Sequence, residues 1–119
     1  MGQLHILVVD DDPDILLLFQ MVGRRLGHRI SLAASAEDAL RVLDSENPPN
    51  AVLVDLDLRA TSGEDLCKAA LHRLGSSVRV FLMTADPLVL NGSEADCAEA
   101  VITKPFDVED VIKLISSER

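Results

Sequence analysis

The sequence has no apolar run long enough to cross a membrane. Its longest apolar stretches, at residues 6–9 and 15–22, are interrupted by carboxylates or by Gln20, whereas a membrane-spanning helix needs about 20 consecutive apolar residues. A secretory signal is also missing, because the first apolar run ends in three aspartates at residues 10–12. We therefore expect a soluble, cytoplasmic protein that does not bind a membrane.

Basic residues are scarce in this chain. The sequence has 11 Lys and Arg against 20 Asp and Glu, which gives a formal net charge of -9. A chain with this charge is repelled by nucleic acid and by anionic lipid. The composition argues against direct binding of nucleic acid and favours a protein or a cation as the partner.

Cysteine and histidine motifs are absent as well. The two cysteines, Cys67 and Cys97, lie far apart without CxxC spacing, so we expect buried thiols and not a disulfide or metal pair. His5, His28 and His72 are scattered singly, and we expect them at the surface or at a sheet edge. No repeat or flexible linker divides the 119 residues, so we expect one domain over residues 1–119.

Short apolar runs alternate with amphipathic segments along the chain. Continuous apolar runs predict strands that are buried on both faces, and the alternating segment at 29–33 predicts an edge strand. The predicted strands cover residues 6–9, 29–33, 51–54, 78–83 and 101–102. A weak helix is predicted over residues 87–100, which include Asn91 and Gly92. Five strands alternating with five helices indicate an α/β fold with one open parallel sheet covered on both faces.

Polar residues follow the predicted strands at their carboxyl ends. These residues are Asp10, Asp11, Asp55, Thr84 and Lys104. Because the carboxyl ends of parallel strands share one edge of the sheet, we expect these side chains to converge. Three crowded carboxylates are tolerated only with raised pKa values or with a bound cation, and oxygen ligands with room for water suit Mg²⁺.

This combination of groups indicates phosphoryl transfer. A metal, a lysine ammonium and a threonine hydroxyl together neutralise and position a transferring phosphoryl group. Asp55 directly follows an apolar strand and faces the other groups, so we predict that it is the nucleophile. Its carboxylate would become an acyl phosphate.

Four motifs resemble those of two-component response regulator receiver domains over essentially the full chain. They are ILVVDDDPDI at 6–15, VLVDLDL at 52–58 followed by Gly63, VFLMTA at 80–85 and TKPF at 103–106. The resemblance implies a chemotaxis-regulator-like, flavodoxin-like, doubly wound fold with strand order 2-1-3-4-5. It also implies a phosphorelay switch that is a self-catalysed phosphoacceptor with autodephosphorylation, and not an enzyme.

The resemblance assigns roles to the acidic residues. Asp55 would accept the phosphoryl group from the phosphohistidine of a histidine kinase or a histidine phosphotransfer protein. Asp10 and Asp11 would hold Mg²⁺ together with Asp55 and the backbone carbonyl of Asp57, with Asp10 bound through water. The phosphorylated domain would change its affinity for a downstream protein target.

The resemblance also assigns Thr84 and Lys104 to the phosphoryl group and implies a cis bond between Lys104 and Pro105. The chain departs from the family at Arg59, where proline is usual, and at Val101, where an aromatic residue is usual. The span from Thr84 to Lys104 is about two residues shorter than the family pattern. We therefore expect phosphorylation to act by ordering or shifting residues 85–100, without an aromatic rotamer switch.

The first helix carries more apolar residues than one buried face needs. The residues predicted to face inward are Ile15, Leu18, Phe19, Val22 and Leu26. Three apolar residues remain, and these are Leu16, Leu17 and Met21. They indicate either an unusually wide buried face or a docking surface, since the resemblance places kinase or phosphotransfer contacts on this helix.

Two other functions are considered from the same residues. Asp55 and Asp57 also match the DxD motif of haloacid dehalogenase-type phosphatases, in which the first aspartate is the nucleophile and the second a general acid. Those enzymes place this strand first and need further acidic ligands after the lysine. The other alternative is a degenerate receiver that acts as a constitutive interaction module. Val101 and the weak helix at 87–100 favour it, whereas the complete acidic set, Thr84 and Lys104 argue against it.

Overall fold

Strands and helices alternate along the chain in a computed structural model that describes residues 3–58, 63–86 and 97–117. The strands are β1 (His5–Val9), β2 (Arg29–Ala33), β3 (Ala51–Asp55), β4 (Arg79–Thr84) and β5 (Ala100–Thr103). The helices are α1 (Pro13–Arg25), α2 (Ala36–Leu43), α3 (Gly63–Leu74) and α4 (Val108–Ser116), and a 3₁₀ turn (Gly75–Ser77) follows α3. Within these ranges no helix has the length and apolar character that a membrane crossing requires.

The five strands form one sheet in the order β2-β1-β3-β4-β5, and every neighbouring pair is parallel. The predicted fold class and strand order are therefore confirmed. All residues of β1 and β3 are buried, because helices cover both faces of the sheet. One apolar cluster packs α1 and α4 against the sheet, and the other packs α2 and α3 against the opposite face.

Side-chain caps fix where the helices begin. The Asp12 carboxylate accepts a hydrogen bond from the Asp14 N–H at 2.9 Å, directly before Pro13 in the first turn of α1. Ser35 caps α2, and Asp107 caps α4 in the same way. The loop between β1 and α1 is therefore short, and it holds Asp10 and Asp11 at the end of β1.

The buried face of α1 differs from the predicted one. Leu16, Phe19 and Gly23 are buried, whereas Leu18 is 45% exposed. The prediction for Leu18 is wrong because the helix is rotated so that positions 16, 19 and 23 point at the sheet. Leu17 and Met21 are also exposed, so the wide buried face is wrong and an exposed apolar face remains.

Several other expectations are settled within the described residues. His5 is buried within β1 and not at the surface, because this central strand begins one residue earlier than predicted. Both cysteines are free thiols, with Cys67 buried and Cys97 partly exposed.

The predicted helix over 87–100 falls largely on residues 87–96, outside the described residues, as does Arg59. Its predicted end is wrong, because residues 97–99 are not helical and Ala100 begins β5.

Candidate functional site

The carboxyl ends of four strands meet at one edge of the sheet. Val9 is level with Val54 in the parallel register, Asp55 with Met83, and Thr84 with Thr103. Asp10 directly follows β1 and therefore lies beside Asp55, the last residue of β3. In the same way, Lys104 directly follows β5 and lies beside Thr84, the last residue of β4. This register brings together residues that are far apart in the sequence.

The carboxylates of Asp10, Asp11 and Asp55 form a compact acidic cluster. One oxygen of each lies within 4.8 Å of the other two. Asp10 and Asp55 are 1% and 2% exposed, whereas Asp11 is exposed. The cluster is therefore closed toward the core and open toward solvent at Asp11.

Asp10 carries the clearest sign of an unbalanced charge. Its Oδ1 accepts a hydrogen bond from the Asp12 N–H at 2.9 Å, but its buried Oδ2 has no hydrogen-bond partner among the described residues. Burial raises the pKa of Asp10 to about 6, and the nearby charges of Asp55 and Asp11 add to this effect. Burial is thus the main cause of the raised pKa of Asp10, and the predicted crowding of carboxylates adds to it.

This donor set fits a hard divalent cation. A buried carboxylate oxygen without a partner is unfavourable unless a donor or a cation satisfies it. The three carboxylates supply oxygen ligands, and the exposed side at Asp11 leaves room for the waters that Mg²⁺ keeps. The clustered carboxylates of Asp10, Asp11 and Asp55 therefore fit a divalent cation of this kind.

Lys104 supplies the positive charge of the site. Its Nζ lies 3.1 Å from Asp55 Oδ2. Burial lowers the pKa of Lys104, but the hydrogen bond to Asp55 and the charges of Asp55 and Asp10 outweigh burial, so the net shift is upward. The side chain thus stays an ammonium. Its backbone N–H donates to the Thr84 carbonyl at 2.8 Å, and the bond to Pro105 is cis as the resemblance implies.

Asp57 and Thr84 border the site through the loops that follow their strands. The Asp57 N–H donates to Asp55 Oδ1 at 2.9 Å, and Asp57 Oδ2 accepts from the Ala85 N–H at 3.3 Å. The buried Thr84 hydroxyl donates to the Asp86 carbonyl at 3.3 Å and accepts from the Asp86 N–H at 3.2 Å. Both carboxylate oxygens of Asp55 are thus held, one by Lys104 and one by Asp57.

Gly63 has a role that sequence reasoning did not assign. A Cβ atom at this position would lie 3.0 Å from Leu56 Cα and 3.2 Å from the Asp55 carbonyl oxygen. The first turn of α3 therefore packs directly on the backbone of the acceptor strand. In the sequence Gly63 follows the motif at residues 52–58 and begins an amphipathic helix, but neither feature by itself indicates this contact.

Comparison with known proteins identifies the family. The response regulator receiver domain family matches residues 6–116. The DNA-binding response regulator MtrA of Mycolicibacterium smegmatis is 33% identical over 91% of this chain and 47% of its own length. The alkaline phosphatase synthesis transcriptional regulatory protein SphR of Synechococcus elongatus is 30% identical over 91% of this chain and 46% of its own length. The chain thus spans about half the length of these curated relatives.

Solved structures give the same result. The receiver domain of the PhyR response regulator from Erythrobacter litoralis is 31% identical, with a TM-score of 0.82 over 98% of this chain and 89% of that one. A CheY-like receiver domain protein from Methanospirillum hungatei is 26% identical, with a TM-score of 0.81 over 96% of this chain and 91% of that one. The phosphatase alternative is not favoured by these matches. The chain belongs to the receiver domain family of two-component response regulators.

Proposed function

We propose that this domain is a switch in which Asp55 accepts a phosphoryl group from the phosphohistidine of a histidine kinase or a histidine phosphotransfer protein. The observation that carries the proposal is the 3.1 Å contact between Lys104 Nζ and Asp55 Oδ2, beside the carboxylates of Asp10 and Asp11. A buried carboxylate next to a fixed ammonium is suited to attack an anionic phosphorus centre, because the ammonium offsets the repulsion between the two anions.

The transfer step uses groups that the fold already holds. A carboxylate oxygen of Asp55 attacks phosphorus in line, and the bond from phosphorus to the imidazole nitrogen breaks. The electron pair stays on that nitrogen. Because the other ring nitrogen of the phosphohistidine carries a proton, histidine leaves as neutral imidazole while Asp55 becomes an acyl phosphate. The Asp57 N–H orients the Asp55 carboxylate, and Lys104 faces the charge that develops on the phosphoryl oxygens.

We assign Mg²⁺ to Asp10, Asp11 and Asp55, together with the backbone carbonyl of Asp57. When bound, the ion would supply positive charge for the phosphoryl oxygens. The support is the fit of the donor set, namely three clustered carboxylates and the partnerless Oδ2 of Asp10. Thr84 would bind a further phosphoryl oxygen after its hydroxyl turns away from the Asp86 backbone.

We further propose that the domain, extending over residues 1–119, is a phosphoacceptor and does not turn over a separate substrate. Its own acyl phosphate would be lost to water that enters at the exposed side of the site, where Asp11 and the Asp57 carboxylate lie. We place the protein in the cytoplasm. We also propose that it makes no direct contact with nucleic acid or with an anionic membrane, because its net charge is -9. A downstream protein target would read the phosphorylated state.

We propose that the partner that delivers the phosphoryl group docks on α1. Leu17, Leu18 and Met21 are 54%, 45% and 61% exposed and form an apolar face on this helix. A groove of about 380 Å³ lies beside it, lined by residues of α1 and by Phe106 and the start of α4. Because Phe106 lies two residues after Lys104, a partner on this face is held near Asp55.

The proposal is tested by incubating the purified chain with acetyl phosphate in the presence and absence of Mg²⁺ and measuring intact mass. We expect one phosphoryl group, which peptide mapping assigns to Asp55, only when Mg²⁺ is present. Asp55→Asn abolishes the gain, whereas Asp65→Asn, on an exposed part of α3, leaves it unchanged. A phosphoryl group mapped to another residue contradicts the proposal. So does the absence of any phosphoryl group when the same acetyl phosphate labels another receiver domain, and that result favours the degenerate receiver.

A further inference from the structure

The two cysteines lie side by side, although they belong to separate elements. Cys67 is on α3, and its thiol donates a hydrogen bond to the backbone carbonyl of Cys97 at 3.0 Å. The Cys97 side chain also hydrogen bonds to the Cys67 thiol. Cys97 lies shortly before β5, and both residues are free thiols. We propose that Cys67 and Cys97 are a redox modification site that forms an intramolecular disulfide with a peroxide as oxidant.

The surroundings of the two thiols set the order of reaction. Cys67 is fully buried in the apolar cluster between α3 and the sheet, whereas Cys97 is partly exposed. Burial raises the pKa of the Cys67 thiol well above its ordinary value, and the hydrogen bond with Cys97 adds to the shift. An oxidant from solvent therefore reaches Cys97 first.

Lys68 adds a positive charge near the exposed thiol. Its ammonium forms an ion pair with Glu64 at 2.9 Å on the surface of α3, and it also interacts electrostatically with Cys97. A thiolate, and not a thiol, is the species that attacks an oxidant. Lys68 thus places a positive charge near Cys97, which is the cysteine that solvent can reach.

Two steps complete the chemistry. The Cys97 sulfur attacks one peroxide oxygen, the O–O bond breaks, and Cys97 becomes a sulfenic acid while water leaves. The Cys67 sulfur then attacks the Cys97 sulfur, the S–S bond forms, and hydroxide leaves with the Cys67 proton as a second water. Two thiols are oxidised and one hydrogen peroxide is reduced to two waters. The Cys67 sulfur already lies 3.0 Å from the Cys97 carbonyl oxygen, so the two residues are close enough for their sulfurs to form an S–S bond of about 2.05 Å.

The disulfide would join α3 to the chain that enters β5. The ring that it closes contains β4 and Thr84, so the bond ties α3 to the segment before β5 around the strand that ends in Thr84. Closing such a ring lowers the entropy of the unfolded chain. The oxidised protein therefore unfolds at a higher denaturant concentration than the reduced protein. This site does not depend on Asp55 or on the proposed phosphoryl transfer.

The test treats the full chain with hydrogen peroxide, removes the oxidant with catalase and alkylates remaining thiols under denaturing conditions. Non-reducing intact mass is expected to show the loss of two hydrogens with no alkylation, and dithiothreitol is expected to restore both thiols. Cys67→Ala, checked for folding by circular dichroism, stops at a Cys97 sulfenic acid that dimedone captures. Cys97→Ser leaves Cys67 reduced, and Asp55→Asn forms the disulfide like the unmodified chain.

Three outcomes overturn the proposal. The first is a protein whose thiols are both alkylated after peroxide treatment. The second is accumulation of sulfenic or sulfinic acid on Cys97 without a disulfide, and the third is a disulfide between two chains, seen as a dimer on a non-reducing gel. Cys97→Ser keeps the test independent of core packing, because it alters only the partly exposed member of the pair.

Discussion

The Lys104 ammonium lies 3.1 Å from the Asp55 carboxylate, and this contact joins the ends of β5 and β3 across the end of β4. Asp55 is almost fully buried and Lys104 is 28% exposed, so water screens the pair only in part. The contact is maintained from both sides, because the Lys104 backbone is hydrogen bonded to Thr84 and the Asp55 carboxylate to the Asp57 N–H. The site is thus largely organised before a phosphoryl group arrives.

Replacing Lys104 tests how much of the transfer depends on this charge. Lys104→Ala is expected to slow phosphorylation by acetyl phosphate by about 10- to 100-fold, because it removes the ammonium that faces the developing phosphoryl charge. Lys104→Arg keeps the charge but not the shape of the side chain, so its phosphorylation rate is expected to lie between those of the unmodified chain and Lys104→Ala. Initial rates of mass gain at saturating Mg²⁺ measure both effects. Lys68→Ala removes an exposed lysine on α3 and serves as the control; equal slowing by both alanine variants contradicts the assigned role.

Mg²⁺ is expected to stabilise the folded domain. At about 10 to 100 times the dissociation constant, binding to the folded state alone raises the free energy of unfolding by about 1 to 3 kcal/mol. Asp11→Asn is expected to remove most of this gain, because it deletes one of three clustered carboxylates. Thermal melts with Mg²⁺ and with chelator measure the difference, and Asp65→Asn is the control. A melting temperature that is indifferent to Mg²⁺ in the unmodified chain contradicts the site.

Much of this fold is readable from the sequence because three strands are buried on both faces. The runs that form β1, β3 and β4 contain almost only apolar residues, so their type and their ends follow from composition. Asp10 and Asp55 directly follow the apolar runs of β1 and β3, and Lys104 follows β5. Parallel pairing makes their convergence a consequence of the fold. The acidic cluster and the Lys104 contact were therefore foreseen in outline.

Features that depend on packing between secondary-structure elements could not be predicted from the sequence. The periodicity of α1 allows two similar inward faces, and only the direction in which the helix lies on the sheet selects Leu16 over Leu18. The proximity of Cys67 and Cys97 depends on where α3 lies relative to the chain entering β5. His5 is predicted at the surface or at a sheet edge, yet it lies in the central strand β1. Pairing of β1 with β2 places its Nε2 2.6 Å from the Ser31 hydroxyl oxygen.

His5 predicts a pH dependence of stability. Burial lowers its pKa below 6.5, and the charge of Arg29 adds to this shift. Below pH 6.5 the unfolded chain therefore protonates His5 more readily than the folded chain does. The contribution of His5 to the free energy of unfolding is thus fully present above pH 6.5 and is lost as the pH falls. The free energy of unfolding is expected to change by at most about 1.4 kcal/mol per pH unit through this group.

Denaturant unfolding between pH 5 and pH 7.5 compares the unmodified chain with His5→Gln. The difference between their free energies of unfolding is expected to shrink as pH falls, because the variant lacks the titrating group. His72→Gln, on the exposed side of α3, is the control. A difference that stays constant over this pH range contradicts the linkage.

Gly63 is expected to affect both stability and phosphorylation. In Gly63→Ala the new methyl group meets Leu56 Cα at 3.0 Å, so either α3 or the end of β3 shifts. Overpacking of this kind lowers the free energy of unfolding by about 1 to 3 kcal/mol. Because the displaced backbone carries Asp55, the phosphorylation rate is expected to fall as well. Ala69→Gly, a change within the same helix, lowers stability without moving Asp55; a normal phosphorylation rate in Gly63→Ala contradicts the positioning role.

Thr84 gives the sharpest test of how phosphorylation is read. Its hydroxyl oxygen accepts the Asp86 N–H at 3.2 Å, and a hydroxyl that turns to the phosphoryl group gives up that position. We therefore expect hydrogen exchange at the Asp86 amide to become faster when beryllium fluoride, a mimic of acyl phosphate, is bound. Nuclear magnetic resonance resolves this single amide.

The variants of Thr84 separate the hydroxyl from the rest of the side chain. Thr84→Ser keeps the hydroxyl and is expected to show the same change at Asp86 on binding beryllium fluoride. Thr84→Val has a similar shape without the hydroxyl, so Asp86 is expected to exchange faster than in the unmodified chain before binding and to change little on binding. Since the Asp55 carboxylate is held by Lys104 and Asp57, Thr84→Val still gains one phosphoryl group from acetyl phosphate. If Asp86 exchange in the unmodified chain is unaffected by beryllium fluoride, Thr84 does not move and the phosphoryl group is read through other contacts.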